Sequence, residues 1–387
     1  MLKTPKKIEY ILTTLCQNGY EAYIVGGCVR DSLLGFVPND YDITTSAKPE
    51  QVIELFERTI PTGIKHGTVT VVIEKEPIEV TTFRTEGNYT DSRRPDSVEF
   101  VSDLKEDLSR RDFTVNALAY SHTKGLIDYF GGEKDLKNRI LRAVGDPKKR
   151  FGEDALRILR LFRFASQLDF SMEQNTLSSA LELSENLKNI SRERIFSELL
   201  KTICGKEPKS LEYLLENGAL SFLGIKGNCN FDILKNLKNE NLCLFSFLKD
   251  TAKNPLMVLE ELNASNAQKK YVTNLFKLTD LPLFSNKTEI KNALFETDKK
   301  SVTDMIFYLK SKGENTENAE KMLEEILLYK EPFLVKHLAL SGEDIKTLGF
   351  SGKEIGEKLE FLREIVVKDP IKNNKKDLKN FLMEFEN

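Results

Sequence analysis

Residues 26–44 read GGCVRDSLLGFVPNDYDIT: a glycine pair, a short segment carrying Arg30 and Asp31, a further glycine at 35, and two aspartates separated by one residue. The apolar run Tyr23 to Val25 before the glycines reads as a strand, and Gly35 can close the short helix that follows them. Asp40-Tyr41-Asp42-Ile43-Thr44 is strand-like, which turns Asp40 and Asp42 to one face with Cα atoms ~6.6 Å apart. Two carboxylates so placed can share Mg²⁺, which prefers hard oxygen ligands. A pair of such ions ~3.5–4 Å apart suits phosphoryl transfer, where they clamp the attacking and leaving oxygens. Gly26 and Gly27 let backbone N–H groups approach a triphosphate, whose charge the next helix N-terminus favours. Taken singly, Gly-Gly is only a turn and Asp-x-Asp only a solvated strand end. A Walker loop is excluded because no Lys-Ser/Thr follows the glycines, and the third glycine of a dinucleotide fingerprint is missing.

Around this stretch the first ~150 residues carry short alternating strands that nearly vanish afterwards. Ile8, Ile11, Leu12 and Leu15 share one helical face, which Gly19 ends. Thr68 to Glu74 with Ile78 to Arg84 predicts a hairpin whose turn contains Pro77, and TEGNYTDSRRPDS at 85–97 has the composition of a mobile loop. From Glu153 the spacing is helical, with Leu156, Leu159, Phe162 and Phe164 on faces distinct from Arg157, Arg160 and Arg163. Further helices are predicted at Ser191 to Ile203, Pro208 to Glu216, Met257 to Leu275 and Ser301 to Leu309, and no fixed-period repeat occurs.

A chain of 387 residues is too long for one ordinary core. Its net charge of −3 excludes an overall cationic shell, so a phosphate-rich partner must be met by local basic patches. Five scattered cysteines without a CxxC pair indicate neither a disulfide framework nor a zinc knuckle and fit a reducing, cytoplasmic setting. Three histidines, no two at ligand spacing, argue against a histidine-bound metal. No window approaches the ~20 apolar residues of a membrane span, the N-terminal segment lacks a signal-peptide core, and nothing calls for a membrane or an obligate protein partner.

Four stretches in order, residues 26–44, RRDFTVNALAY at 110–120, EDALRILRLFRF at 153–164 and SRERIFSELLKTI at 191–203, make the chain resemble the template-independent tRNA nucleotidyltransferases, or CCA-adding enzymes, and the related bacterial poly(A) polymerases. The likeness is to the second class, found in bacteria and eukaryotes. It implies an α+β polymerase-β-like nucleotidyltransferase head followed by an all-α neck, body and tail. The division expected is 1–150 head, 151–205 neck with a nucleotide-selecting helix, 206–300 body and 301–387 tail, the tail binding tRNA. By the same resemblance Asp40 and Asp42 bind the catalytic metals, Gly26, Gly27 and Arg30 meet the incoming nucleotide, and Glu79 is the third carboxylate, able to help deprotonate the primer 3′-OH. Arg111 contacts the nucleotide and Asp112 accepts from the ribose 2′-OH. The plainer alternatives are an outward-facing strand glutamate and a structural ion-pair cluster of Arg110, Arg111 and Asp112 opening a helix.

Asp154 and Arg157, three apart on the predicted helix, are neighbours on one face. They form either a surface salt bridge or a protein template. A carboxylate acceptor beside a guanidinium donor matches what cytosine and adenine share, an exocyclic amino group next to an unprotonated ring nitrogen. Uracil and guanine reverse that polarity, and each good bidentate contact discriminates by ~1–3 kcal/mol. Arg160 and Arg163 continue the basic stripe toward phosphates, or are solvated helix arginines. The expected activity is Mg²⁺-dependent addition of CCA to tRNA from CTP and ATP. Its rivals are poly(A) polymerase, a partial enzyme adding only CC or only A, and a non-catalytic tRNA-binding module. RTEGNYTDSRRP at 84–95, part of which CC-adding relatives lack, favours the full reaction.

Overall fold

The computed structural model describes residues 2–86, 98–237, 239–281, 284–369 and 372–384; of the expected loop at 85–97, residues 87–97 lie outside this set. The chain runs α1 (Lys6–Gln17), β1 (Ala22–Val25), α2 (Gly27–Leu33), β2 (Asp42–Thr45), α3 (Pro49–Leu55), β3 (Thr59–Gly63), β4 (Thr68–Ile73), β5 (Glu76–Thr82), β6 (Arg84–Glu86), β7 (Val98–Phe100), α4 (Leu104–Ser109), β8 (Leu118–Ser121) and β9 (Gly125–Asp128). Seven strands form one sheet in the order β3-β4-β5-β2-β1-β8-β9, with β2 and β5 parallel and β6 and β7 paired separately.

The sheet is covered on both faces, which explains why β1 is a continuous apolar run. Ala22 and Ile24 pack with Ile8, Ile11 and Leu15 of α1 and Val52 of α3. Tyr23 and Val25 alternate to the other face, against Phe83 and against Leu104 and Leu108 of α4. α1 ends as its glycine suggests, with Gly19 at φ 84°.

Beyond the sheet come α5 (Gly132–Asn138), β10 (Ile140–Leu141), α6 (Pro147–Glu153), α7 (Leu156–Leu168), β11 (Ser171–Met172), α8 (Gln174–Glu182), α9 (Arg192–Ile203) and α10 (Glu212–Glu216). These complete the first of two compact units, Met1–Cys229 with the short returns Thr251–Lys253 and Glu261–Asn263. The second unit, Asn230–Asp250, Asn254–Glu260 and Ala264–Asn387, is helical among the described residues. Near its end Leu340, Ile345, Leu362, Val366, Leu378 and Leu382 form a small core.

Four local expectations are corrected. Strand β2 begins at Asp42, so Asp40 precedes it rather than sharing it. The β4–β5 hairpin turns on Glu74 and Lys75, both at positive φ (51° and 69°), while Pro77 lies inside β5 opposite Val72. The helix expected over 153–164 is interrupted: Asp154 is extended (φ −138°, ψ 106°) and separates α6 from α7. The helix expected over 257–275 is two, Pro255–Glu261 and Asn266–Thr279, with Asn263 at φ 53° between them and Ser265 capping the second.

Candidate active site

The glycine pair sits where β1 hands over to α2. Gly26 has φ 78° and ψ −135°, so the backbone of the turn needs glycine, and a Cβ there would stand 2.8 Å from Nη1 of Arg111 and push that guanidinium aside. Arg30 projects from α2 and is nearly buried. It donates from Nε to Asp31 (2.8 Å) and from Nη1 to Oδ1 of Asn116 (2.6 Å). Arg111 is held by Asp107 at 3.6 Å. Burial lowers the Arg111 pKa, against the pull of Asp107. Asp107 is fully buried and also takes Arg110 at 2.8 Å. Burial pushes its carboxyl up, but Arg110 and Arg111 outweigh that and hold it below the usual range.

Asp40 and Asp42 are both solvent-accessible. Register across the parallel β2–β5 pair sets Asp42 beside Glu79. Glu79 faces outward between buried Ile78 and Val80, and that outward face is the one lined by Asp40 and Asp42 in a cavity of 500 Å³. The pKa of Asp42 is raised: the protein around its carboxyl displaces water, and Glu79 and Asp40 add like charge, while Arg111 pulls the other way. A divalent cation would relieve this crowding, so the donor chemistry fits Mg²⁺. Among the described residues no group of three or more His, Cys, Asp or Glu is arranged to hold an ion. Two carboxylates with substrate phosphates completing the shell is a mode in which Mg²⁺ is commonly held.

A cleft of 730 Å³ adjoins the carboxylates and is lined by Gly26, Gly27, Arg30, Asp40, Asp42, Arg111, Asp112, Asp154, Arg157, Arg160 and Arg163. Glu79 alone among the sequence candidates lines the neighbouring cavity instead. Three guanidiniums, those of Arg30, Arg160 and Arg163, surround the Phe164 ring at 5.1, 5.2 and 4.1 Å from its centre. Asp112 does not open a helix; it precedes a single 3₁₀ turn, Thr114–Asn116. Its Oδ1 accepts from Phe113 N and Asn116 Nδ2, and its Oδ2 accepts from Arg160 Nε and Nη2 at 2.7 and 2.6 Å. Those contacts fill the acceptor positions of a carboxylate, so a ribose hydroxyl would have to displace one of them. Burial would raise its pKa, yet Arg160 and the Asn116 hydrogen bond hold it down to about 2.

Asp154 lies outside α7. Its Oδ1 caps Leu156 N (2.9 Å) and its Oδ2 accepts from Arg194 Nη2 (2.9 Å). Arg157, on the first turn of α7 and buried, donates to Glu153 (2.7 Å), to Arg150 O (3.1 Å) and to Arg110 O (2.9 Å). Arg157 is therefore no solvated surface arginine, and both side chains border the cleft. Asp107, Asn116, Glu153, Arg194 and Glu198 carry no role legible in the sequence alone. The last pairs with Arg163 at 3.1 Å. Asn116, Arg194 and Glu198 stand within the stretches 110–120 and 191–203, but Arg30, Asp154 and Arg163, with which they pair, are distant in the chain.

A family model described as the poly A polymerase head domain matches residues 22–142, and one described as a probable RNA and SrmB-binding site of polymerase A matches residues 169–224. The CCA-adding enzyme of Lactobacillus helveticus is 39% identical over 97% of this chain and 96% of its own length. That of Enterococcus faecalis is 36% identical over 97% and 95%. The crystal structure of the Bacillus stearothermophilus CCA-adding enzyme in complex with CTP superposes with a TM-score of 0.86 at 31% identity, covering 100% of this chain and 98% of that one. Among the described residues no helix is long and apolar enough to cross a membrane. With relatives matched along nearly their whole length, the chain belongs to the family of CCA-adding enzymes.

Proposed function

We infer that this chain adds C, C and then A to the 3′ end of tRNA, using CTP and ATP, releasing pyrophosphate and needing no nucleic-acid template. The observation that carries this reading is one cleft that joins two accessible aspartates, a wall of arginines and the Asp154/Arg157 acceptor and donor. In each cycle the RNA 3′-oxygen bonds to the α-phosphorus while the bond from that phosphorus to the bridging oxygen breaks. The hydroxyl proton passes to Glu79, the register neighbour of Asp42. Mg²⁺ held by Asp40 and Asp42 supplies, when bound, neutralisation of charge on the attacking and leaving oxygens.

Arg30, Arg111, Arg160 and Arg163 then hold the triphosphate, with Gly26 and Gly27 leaving room for close approach. Asp112 serves by orienting Arg160 directly and Arg30 through Asn116. Asp154 accepts from the exocyclic amino group of C or A while Arg157 donates to the adjacent ring nitrogen, and its several anchors keep that donor from rotating to suit U or G. Residues 1–150 act as head, 151–205 as neck, 206–300 as body and 301–387 as tail, the latter two gripping tRNA by shape and phosphates. The reduced-cysteine composition supports a cytoplasmic setting. The test supplies CTP, ATP or both with tRNA truncated at successive 3′ positions and reads product length. Growth by C, C and A and no further is expected. A long A tract would indicate a poly(A) polymerase, and arrest after CC or a requirement for a CC end would indicate a partial enzyme.

A further inference from the structure

Residues 39–42 of the first unit border a second opening besides the nucleotide cleft. The cavity beside Glu79 is bordered by Tyr41, and Tyr41 also borders a separate notch of 500 Å³ formed by Ser32, Phe36, Val37 and Pro38 and by the N-terminal residues Lys3 and Pro5. Phe36 is 53% exposed and Val37 89% exposed, an unusual outlay of apolar surface a few residues from catalytic-type aspartates. Lys206 places its ammonium 5.3 Å from the centre of the Phe36 ring, and Lys3 and Lys206 are both exposed.

We propose that this notch binds the single-stranded 3′ end of the RNA being extended, a nucleobase just upstream of the attacking hydroxyl stacking on Phe36 and Val37 while Lys3 and Lys206 meet its phosphates. The proposal rests on the reading that the chain extends tRNA, and it adds the acceptor's seat to the nucleotide's. Asp40 and Asp42 line both the arginine-lined cleft and the cavity beside Glu79, and Tyr41 lines both that cavity and the notch, so with the nucleotide in the cleft an acceptor strand that reaches the aspartates through the second cavity passes the notch at Phe36. An exposed aromatic ring with one lysine ammonium beside it and a second lysine lining the same notch is a combination that holds unpaired nucleotides regardless of base identity, as an enzyme whose acceptor end changes with each addition needs. In a blunt duplex the 3′-terminal base is held in a pair, so it cannot enter the notch as a single unpaired nucleotide.

The chain contains no tryptophan, so Phe36→Trp installs a single reporter at the notch. Its emission is followed with an acceptor minihelix ending in an unpaired 3′ overhang, with the same helix made blunt, and with CTP alone, while extension is measured in parallel. The overhang should quench the emission and the blunt helix and CTP should not. Phe36→Ala should raise the KM for RNA ~5- to 150-fold, the cost of one lost stack, with the KM for CTP unchanged, and Phe36→Tyr should restore it. Lys206→Ala should reduce the salt dependence of RNA binding by about one phosphate contact. Equal quenching by blunt and overhanging helices would overturn the proposal. So would extension without quenching, or an emission that changes with protein concentration alone, which would mark the patch as a self-association surface. Quenching by the overhang with no extension by the wild-type chain would keep the stacking site and remove the proposed function.

Discussion

Replacing Asp112 by asparagine tests the account of the arginine wall. Asp112 stands at the centre of a chain of contacts in which Arg30 donates to Asn116, Asn116 donates to Asp112, and Arg160 donates twice to its other oxygen. An amide has one oxygen and one NH₂. If the oxygen faces Arg160, the NH₂ meets Phe113 N and Asn116 Nδ2; if reversed, it meets the guanidinium. Donors oppose donors either way. The carboxyl pKa falls from 3.8 to about 2, and at ~1.36 kcal/mol per unit its ionised form stabilises the fold by roughly 2 kcal/mol at neutral pH. Loss of one partner of a buried pair reaches ~3–5 kcal/mol, but Arg160 keeps 33% side-chain exposure and is partly rescued by water, so about 2–3 kcal/mol is expected. A depressed carboxylate pKa contributes fully above the unfolded value and fades as pH falls through the folded one. The stability gap between wild type and variant should therefore narrow from about pH 4 toward about pH 2. Urea unfolding followed on the transition of the first unit, with steady-state kinetics, measures both consequences. The KM for CTP and ATP should rise together by roughly 10- to 100-fold, the worth of a misplaced charge-assisted contact, with nucleotide choice unchanged. An unchanged KM, or altered choice between C and A, would refute the reasoning.

Asp40→Ala and Asp42→Ala should each abolish addition of C and of A while leaving tRNA affinity nearly intact. Added Mg²⁺ or Mn²⁺ should raise the thermal midpoint of the wild type and not of either variant, since the cation relieves crowded like charge; near-native turnover in either variant would contradict the metal assignment. Gly26→Ala combines a left-handed backbone cost of about 1–3 kcal/mol with a methyl pressed onto Arg111, so kcat/KM should fall for every nucleotide, and a fully active alanine variant would show that Arg111 is not placed by this turn. tRNA binding should weaken steeply between low and moderate salt despite the net charge of −3, and a flat profile in filter binding would argue against phosphate contacts.

Much of the head was legible because its rules are local. A short continuous apolar run marks β1, glycine marks the end of α1 and the turn into α2, and helical spacing marks α7 and α9. The misses have physical causes. Glu74-Lys75 carries none of the Asn-Gly chemistry that signals a hairpin turn with positive φ. Pro77 is tolerated within β5 because β2 pairs only with Glu79–Thr82 and never reaches it. The break at Asp154 is not set by Gly152, which lies inside α6; the Asp154 carboxylate instead caps Leu156 ahead of it and meets Arg194, a partner 40 residues away. The arginines of α7 looked equally suited to solvent because Asp112, 48 residues before Arg160, and Glu198, 35 after Arg163, become neighbours only in the fold. The same long-range carboxylates let the cleft hold so many guanidiniums without each losing its charge.

The central claim is that Asp154 and Arg157 choose the nucleotide, and kcat/KM for CTP, ATP, UTP and GTP in Asp154→Ala and Arg157→Ala, with folding checked by unfolding, tests it most directly. Asp154→Ala should weaken discrimination against UTP, because the carboxylate that repels the uracil carbonyl is gone. Arg157→Ala should lower use of both CTP and ATP, because each loses its ring-nitrogen donor. A uniform small loss across all four nucleotides, with the order of preference intact, would contradict the claim and return the pair to a structural role at the head of α7.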